Sequence, residues 1–232
     1  MTPRALMQRR RAPLRLVIFD CDGVLVDSEP VANRIIAEEL TRYGWTMTTS
    51  EATRRFLGVS LADLRPIVAA RLGGALAAEV AGTLPARIVA ALAAEAAAIP
   101  GAVAALHAAT RLGIAWRIAS NSSHAEMAAK FRRLGLCELV RGRLHSFTDV
   151  AQGKPAPDLF LAAAAAEGVT AADCLVVEDS PPGVRGAVAA GMDCLGFAPE
   201  GDGAALSTAG AVPFHAMTEL PGLLAAARRR AA

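Results

Sequence analysis

The sequence predicts an α/β protein: a parallel sheet with helices on both faces and an all-helical insertion near its start. Short, branched apolar runs recur along the chain, each ends in a polar turn, and each turn opens an amphipathic helix, the alternation expected of parallel strands joined by helical crossovers. Between the first such run and the next, from about residue 30 to 98, the periodicity is helical throughout, with no convincing strand. A composition 53% hydrophobic and 20% charged over 232 residues suits a chain with a large buried core.

In chain order, the opening MTPRALMQRRRAPL is basic and lacks the apolar region of a secretory signal, so residues 1–13 are expected to form a disordered tail. Leu14 to Phe19 reads as the first buried strand, ending in acidic residues. The insertion, residues 30–98, is broken at Tyr43-Gly44, near Gly58 and at Gly73-Gly74. Beyond Pro100-Gly101 come a helix and the strand Ile114 to Ala119, then the turn Ser120 to Ser123 and a helix over His124 to Leu134. The unit repeats as Arg143 to Ser146, a Gly-Lys-Pro turn and the helix Asp158 to Glu167, and again as Cys174 to Val177, an acidic turn and the helix Pro182 to Ala190. Met192 to Phe197 closes the series. The expected core is therefore 14–29 with 99–232, and its ligands belong beyond the carboxyl ends of the strands.

The bulk properties exclude some functions. A net charge of +2 from 24 basic and 22 acidic residues, interspersed along the chain, gives nucleic-acid binding little support. No apolar run long enough to span a bilayer is expected, and Cys21, Cys137, Cys174 and Cys194 lack metal-ligand or paired spacing, which points to reduced thiols in the cytoplasm. Trp45 and Trp116 lie in apolar-patterned segments and read as packing residues. His107, His124, His145 and His215 share no spacing that suggests a metal or catalytic histidine, and Arg228 to Arg230 reads as a frayed helix end.

Chemistry concentrates in the polar turns. Asp20-Cys21-Asp22-Gly23 places two carboxylates two residues apart on a turn where Gly23 permits close approach of a ligand. One carboxylate of such a pair can attack phosphorus while the other protonates the leaving oxygen and then activates water; a solvated acidic turn has the same composition. Ser120-Asn121, between a strand and a helix, can hold phosphate oxygens or simply cap the helix. Lys154 sits among turn-formers in Gly153-Lys154-Pro155-Ala156-Pro157-Asp158, and only Lys130 and Lys154 are lysines in an arginine-rich chain, which favours a point charge chosen for a phosphate over a solvent-facing side chain. Glu178-Asp179 adds two acids at the same mouth, and carboxylates gathered there call for a hard divalent cation such as Mg²⁺.

The segments DCDGVLVDSE, SNSS, GKPAPD and VVEDSPPGV, in that order at successive strand ends, resemble the haloacid dehalogenase-like hydrolases, specifically their phosphatase and β-phosphoglucomutase-like branch. The resemblance implies a Rossmann-like core with a helical cap inserted after the first motif. It implies that Asp20 is the nucleophile and Asp22 the general acid and base, that Gly23, Ser120, Asn121 and Lys154 surround the phosphate, and that Asp20, the Asp22 carbonyl and Asp179 hold Mg²⁺ with Glu178 close by. The substrate would be a small phosphorylated metabolite, acted on by a monomer.

Within that family, the presence of Asp22 and of Glu178-Asp179 argues against dehalogenation, and a cap without lysine argues against phosphonatase chemistry. A phosphosugar mutase is the alternative; such mutases carry histidine where Ala32 stands and arginine where Leu61 follows Gly58-Val59-Ser60. Arg34, Arg54 and Arg55 are the polar candidates of the cap, either reading an anionic group or forming a solvated face, and Arg54 to Ser60 resembles the cap of bacterial phosphatases acting on sugar acids such as 6-phosphogluconate. A catalytically idle binding protein is a remote alternative, because every chemical group is retained.

Overall fold

The computed structural model describes residues 1–10, 12–56, 59 and 61–228. The chain divides into two compact units, one of Met1–Val26, Ala98–His124 and Glu138–Ala232, the other of Asp27–Ala97 and Ala125–Cys137. The first contains the strands β1 (Leu16–Phe19), β4 (Ala115–Ser120), β5 (Leu144–Ser146), β6 (Cys174–Glu178), β7 (Asp193–Phe197) and β8 (Val212–Phe214) in one sheet of order β5-β4-β1-β6-β7-β8. Every neighbouring pair is parallel. The remaining strands, β2 (Val26–Asp27) and β3 (Ala97–Ala98), pair where the chain leaves the first unit and returns to it.

The helices of the first unit are α1 (Pro3–Arg9), α6 (Ala102–Arg111), α8 (Cys137–Val140), α9 (Asp158–Ala166), α10 (Pro181–Ala189), α11 (Ala204–Ala209) and α12 (Leu220–Arg228). Strand alternation sends Leu16, Ile18, Cys174, Val176 and Cys194 to one face, where they join Leu159, Phe160, Ala163, Val184 and Leu206 in one apolar cluster. Their strand neighbours Val17, Phe19, Leu175, Val177 and Leu195 point the other way and are equally buried. Burial on both faces is why these strands read as uninterrupted apolar runs.

Two elements depart from the sequence reading. The expected disordered tail is instead the helix α1: Thr2 caps it by accepting from the Ala5 amide, Pro3 starts it, and Leu6 and Met7 are buried as it packs on α12 and β8. Arg10, at its end, donates from Nη1 to Asp193 and to the Cys174 carbonyl (2.9 Å), and from Nη2 to the Ala172 carbonyl (2.7 Å). Nor does the strand at Met192 to Phe197 close the series, since β8 follows; an edge strand of three residues containing Pro213 offers little alternating pattern to read.

The second unit contains α2 (Glu29–Arg42), α3 (Thr49–Phe56), α4 (Leu61–Leu72), α5 (Gly74–Glu95) and α7 (His124–Arg133). The second unit thus extends beyond the expected 30–98, taking in a segment joined to it by the bond from Arg133 Nε to the Ala94 carbonyl, 2.8 Å, and with that segment the buried Lys130, so the unit does not lack lysine as 30–98 does. Ile36, Leu40, Phe56, Val80, Leu84, Ile88 and Leu92 are buried there, with Trp45 edge-on to Phe56. Glu39 is fully buried and accepts from Thr83 and Arg87. By length and composition α5 is long and apolar enough to cross a membrane, contrary to expectation; it packs against α2 and α4. Leu57, Gly58, Ser60, the side chain of Leu61, Arg229 and Arg230, invoked in the sequence reading, lie outside what is described.

Arg10→Ala removes a guanidinium whose side chain is 4% exposed and leaves Asp193 and two carbonyls without it. The expected loss is about 2–3 kcal/mol in urea unfolding, with turnover of the folded enzyme unchanged.

Candidate active site

The polar turns of the first unit deliver their side chains beyond the carboxyl strand ends. Asp20 follows β1 directly, its amide bonded to the Val177 carbonyl of β6 at 2.9 Å, so the two strands present their acids side by side. Lys154 Nζ lies between those acids, 2.6 Å from Asp20 Oδ1 and 2.7 Å from Glu178 Oε1. All three side chains are buried. The second oxygen of Glu178, Oε2, accepts from the Asp179 amide (3.0 Å), the Ser180 amide (3.0 Å) and Ser180 Oγ (2.9 Å).

Lys154 is also held through its backbone. Its amide donates to Asn121 Oδ1 at 2.9 Å and its carbonyl accepts from Asn121 Nδ2 at 3.0 Å, so one side-chain amide holds both backbone polar groups of Lys154. Asp22 accepts at Oδ2 from Ser120 Oγ (3.1 Å) and Ser122 Oγ (2.8 Å). Asp20, Asp22, Ser120, Asn121, Lys154, Glu178 and Asp179 therefore meet around one mouth.

Glycine is required at three places in this arrangement. A Cβ on Gly23 would lie 1.8 Å from Asp179 Oδ2, and Gly23 also has φ of +70°. One on Gly183 would fall 1.7 Å from Glu178 Oε1, and one on Gly153 would fall 2.6 Å from Asn121 Oδ1. The acids and the Lys154 turn thus approach backbone more closely than any side chain allows.

Burial pushes the Asp20 carboxyl up to about 7, against the attraction of Lys154 and with the repulsion of Glu178 and Asp22 added. Burial also opposes the charge on Lys154, but Asp20 and Glu178 outweigh it and hold the ammonium above its ordinary range. Oxygens of Asp20, Glu178 and Asp179 lie within 4.8 Å of one another, an all-carboxylate set of the kind that suits a hard cation.

The cap candidates have local partners in the second unit. Arg34 is engaged by Glu38 (2.7 Å) and Glu95 (2.6 Å). Arg54 donates to Ser50 Oγ at 2.8 Å, and Arg55 lies 4.8 Å over the Trp45 ring. The sequence alone assigns no role in the site to Ser122, Ser146, Ser180, Gly153 or Gly183. All but Ser146 stand inside the quoted motifs, but nothing in a motif shows which way their atoms face.

A haloacid dehalogenase-like hydrolase family model matches residues 14–191, which include every one of these turns. The chain belongs to that family. Among relatives of the hydrolase, the 6-phosphogluconate phosphatase of Escherichia coli K12 is 30% identical over 211 residues, 90% of this chain and 94% of that protein. A family hydrolase from Deinococcus radiodurans R1, solved with bound phosphate and sodium, superposes with a TM-score of 0.76 at 32% identity, covering 93% of this chain and 97% of the other. A putative β-phosphoglucomutase from Thermotoga maritima gives 0.75 at 28% identity over 91% and 98% of the two chains. This haloacid dehalogenase-like hydrolase is a phosphoric monoester hydrolase.

Two outcomes are expected from the geometry. Gly23→Ala displaces Asp179 and lowers phosphate-ester turnover by about 10²-fold, measured against the retained far-ultraviolet dichroism of the folded chain. Because the Asp20 carboxyl lies above the ordinary value near 4, its contribution to metal-free stability is complete below about pH 4 and is lost as pH rises through about 7. Thermal unfolding in EDTA across that range should show this slope, and Asp20→Asn, which cannot ionise, should lack it.

Proposed function

We propose that the chain is a Mg²⁺-dependent phosphatase of a small phosphorylated sugar or sugar acid, such as 6-phosphogluconate, working through an aspartyl phosphate on Asp20. The observation that carries this reading is the buried Lys154 ammonium 2.6 Å from Asp20, beside a second acid, Asp22, held by hydroxyls. Such a lysine neutralises a carboxylate and an incoming phosphate together and so lowers their mutual repulsion, the main electrostatic obstacle to their reaction.

In the first step an Asp20 oxygen attacks phosphorus, the ester P–O bond breaks, and Asp22 gives its proton to the departing alkoxide. In the second, Asp22 takes a proton from water, the water oxygen attacks phosphorus, and the P–O bond to Asp20 breaks to release phosphate and regenerate the carboxylate. Lys154, Ser120 and the turn at Gly23 orient the phosphate, while Asn121 holds the Lys154 backbone in place. Asp20, Asp179 and the Asp22 carbonyl would hold Mg²⁺, with Glu178 adjacent, and the ion would supply the positive charge that four gathered carboxylates and a phosphate require. Arg54 and Arg55 are the cap residues assigned to an anionic substrate group. Four cysteines without paired or metal-ligand spacing support a reducing, cytoplasmic setting, and a monomer suffices for the chemistry.

A phosphosugar mutase is the second reading, favoured by the likeness to the putative β-phosphoglucomutase. Ala32, where those mutases carry histidine, supports hydrolysis instead.

Phosphate release from sugar phosphates, sugar-acid phosphates and nucleotides, each with Mg²⁺ or EDTA, is the test. Release from a sugar-acid or sugar phosphate that EDTA abolishes, and that Asp20→Asn lowers by at least about 10³-fold, is expected. Conversion of β-glucose 1-phosphate to glucose 6-phosphate without net phosphate release would overturn hydrolysis in favour of the mutase.

A further inference from the structure

Asp22 is held through one oxygen by two hydroxyls, Ser120 Oγ at 3.1 Å and Ser122 Oγ at 2.8 Å. A hydroxyl has one proton to donate. If Ser120 turns its proton to a substrate phosphate oxygen, it must release Asp22, and the Ser122 hydroxyl then keeps the carboxylate in place.

Ser122 is anchored for that task. Its amide donates to Ser120 Oγ at 3.0 Å, and its carbonyl accepts from Ser146 Oγ at 2.8 Å. Ser146 is fully buried at the end of β5, so this bond ties the turn after β4 to the neighbouring strand. The Ser146 amide donates in turn to Asp149 Oδ2 at 2.8 Å, and the other Asp149 oxygen lies 2.7 Å from His124 Nε2. A chain of short contacts therefore runs from Asp22 through two serines to the Asp149–His124 contact.

We propose that Ser122 is a positioning residue for Asp22 and that Ser146 acts through it, so that the acid/base carboxylate stays aimed while Ser120 engages the phosphate. The inference rests on the acid/base reading of Asp22 given above. It separates three serines of similar appearance: Ser120 serves binding, Ser122 serves proton transfer, and Ser146 sets Ser122.

The test compares kcat/KM for p-nitrophenyl phosphate, whose leaving group needs little protonation, with that for phenyl phosphate, whose leaving group needs more. Asp22→Asn, Ser122→Ala, Ser122→Thr, Ser146→Ala and the Ser122→Ala/Ser146→Ala double variant are measured in the full chain with Mg²⁺. Ser122→Ala should lose about 10-fold or more extra on phenyl phosphate, as Asp22→Asn does, with KM within about twofold of wild type. Ser122→Thr, which keeps the hydroxyl, should restore most of the loss. Ser146→Ala should show a smaller loss of the same kind, and the double variant no more than Ser122→Ala, because the two act in series. Should Ser122→Ala not fold, Ser122→Cys keeps the volume, weakens the donor and reads the same difference. Equal losses on both esters, or none, in Ser122→Ala while Asp22→Asn discriminates between them would overturn the positioning role. No discrimination in Asp22→Asn itself would instead overturn the acid/base reading, and this inference with it.

Discussion

The Lys154 ammonium sits between two carboxylates that the sheet forces together. Asp20 and Glu178 are delivered by adjacent parallel strands in fixed register, and each is buried. Removing such charges from water costs several kcal/mol per ion unless each is closely paired, so the lysine cannot be absent or misplaced without the strand ends repelling one another. Much of the surrounding detail serves this contact. Asn121 holds both backbone polar groups of Lys154, three donors occupy the second oxygen of Glu178, and glycine at 153 and 183 leaves room for Asn121 and Glu178.

The same arrangement makes the site reactive. With Asp22 and Asp179 beside the pair, negative charge exceeds what one lysine balances, and the Asp20 carboxyl is driven upward as a result of burial and of its acidic neighbours. A cation would offset that imbalance, and the Lys154 ammonium that pairs the carboxylates also suits an incoming phosphate. The sheet contributes rigidity: with apolar residues packed against helices on both faces, the strand ends have little freedom to separate.

Much of this was legible in the sequence, for reasons visible in particular elements. The strands at Leu16 and Cys174 read clearly because burial on both faces leaves uninterrupted apolar runs, and those at Ala115 and Asp193 stay legible although Arg117 and Asp193 break the pattern. The three-residue edge strand at Val212 did not, and α1 was hidden because its buried Leu6 and Met7 lie among arginines that resemble a solvated tail. Asp20, Asp22, Lys154, Glu178 and Asp179 could be named from turn chemistry at strand ends. The engagement of Asn121 with the Lys154 backbone, and of Ser122 with Asp22, could not, because each joins residues far apart in sequence through one side-chain orientation. Arg10 illustrates the same limit: one arginine in a basic run is buried against Asp193, and no local pattern distinguishes it from its neighbours.

Asp20 is the proposed donor of the oxygen that bonds to phosphorus. Rapid acid quench of the enzyme turning over a ³²P-labelled phosphate ester, followed by peptide mapping, tests that directly. The account predicts transient label on the peptide carrying Asp20, acid-stable and hydroxylamine-labile as an acyl phosphate is, and none in Asp20→Asn. Label on Ser120 or another side chain, or full turnover in Asp20→Asn, would contradict it.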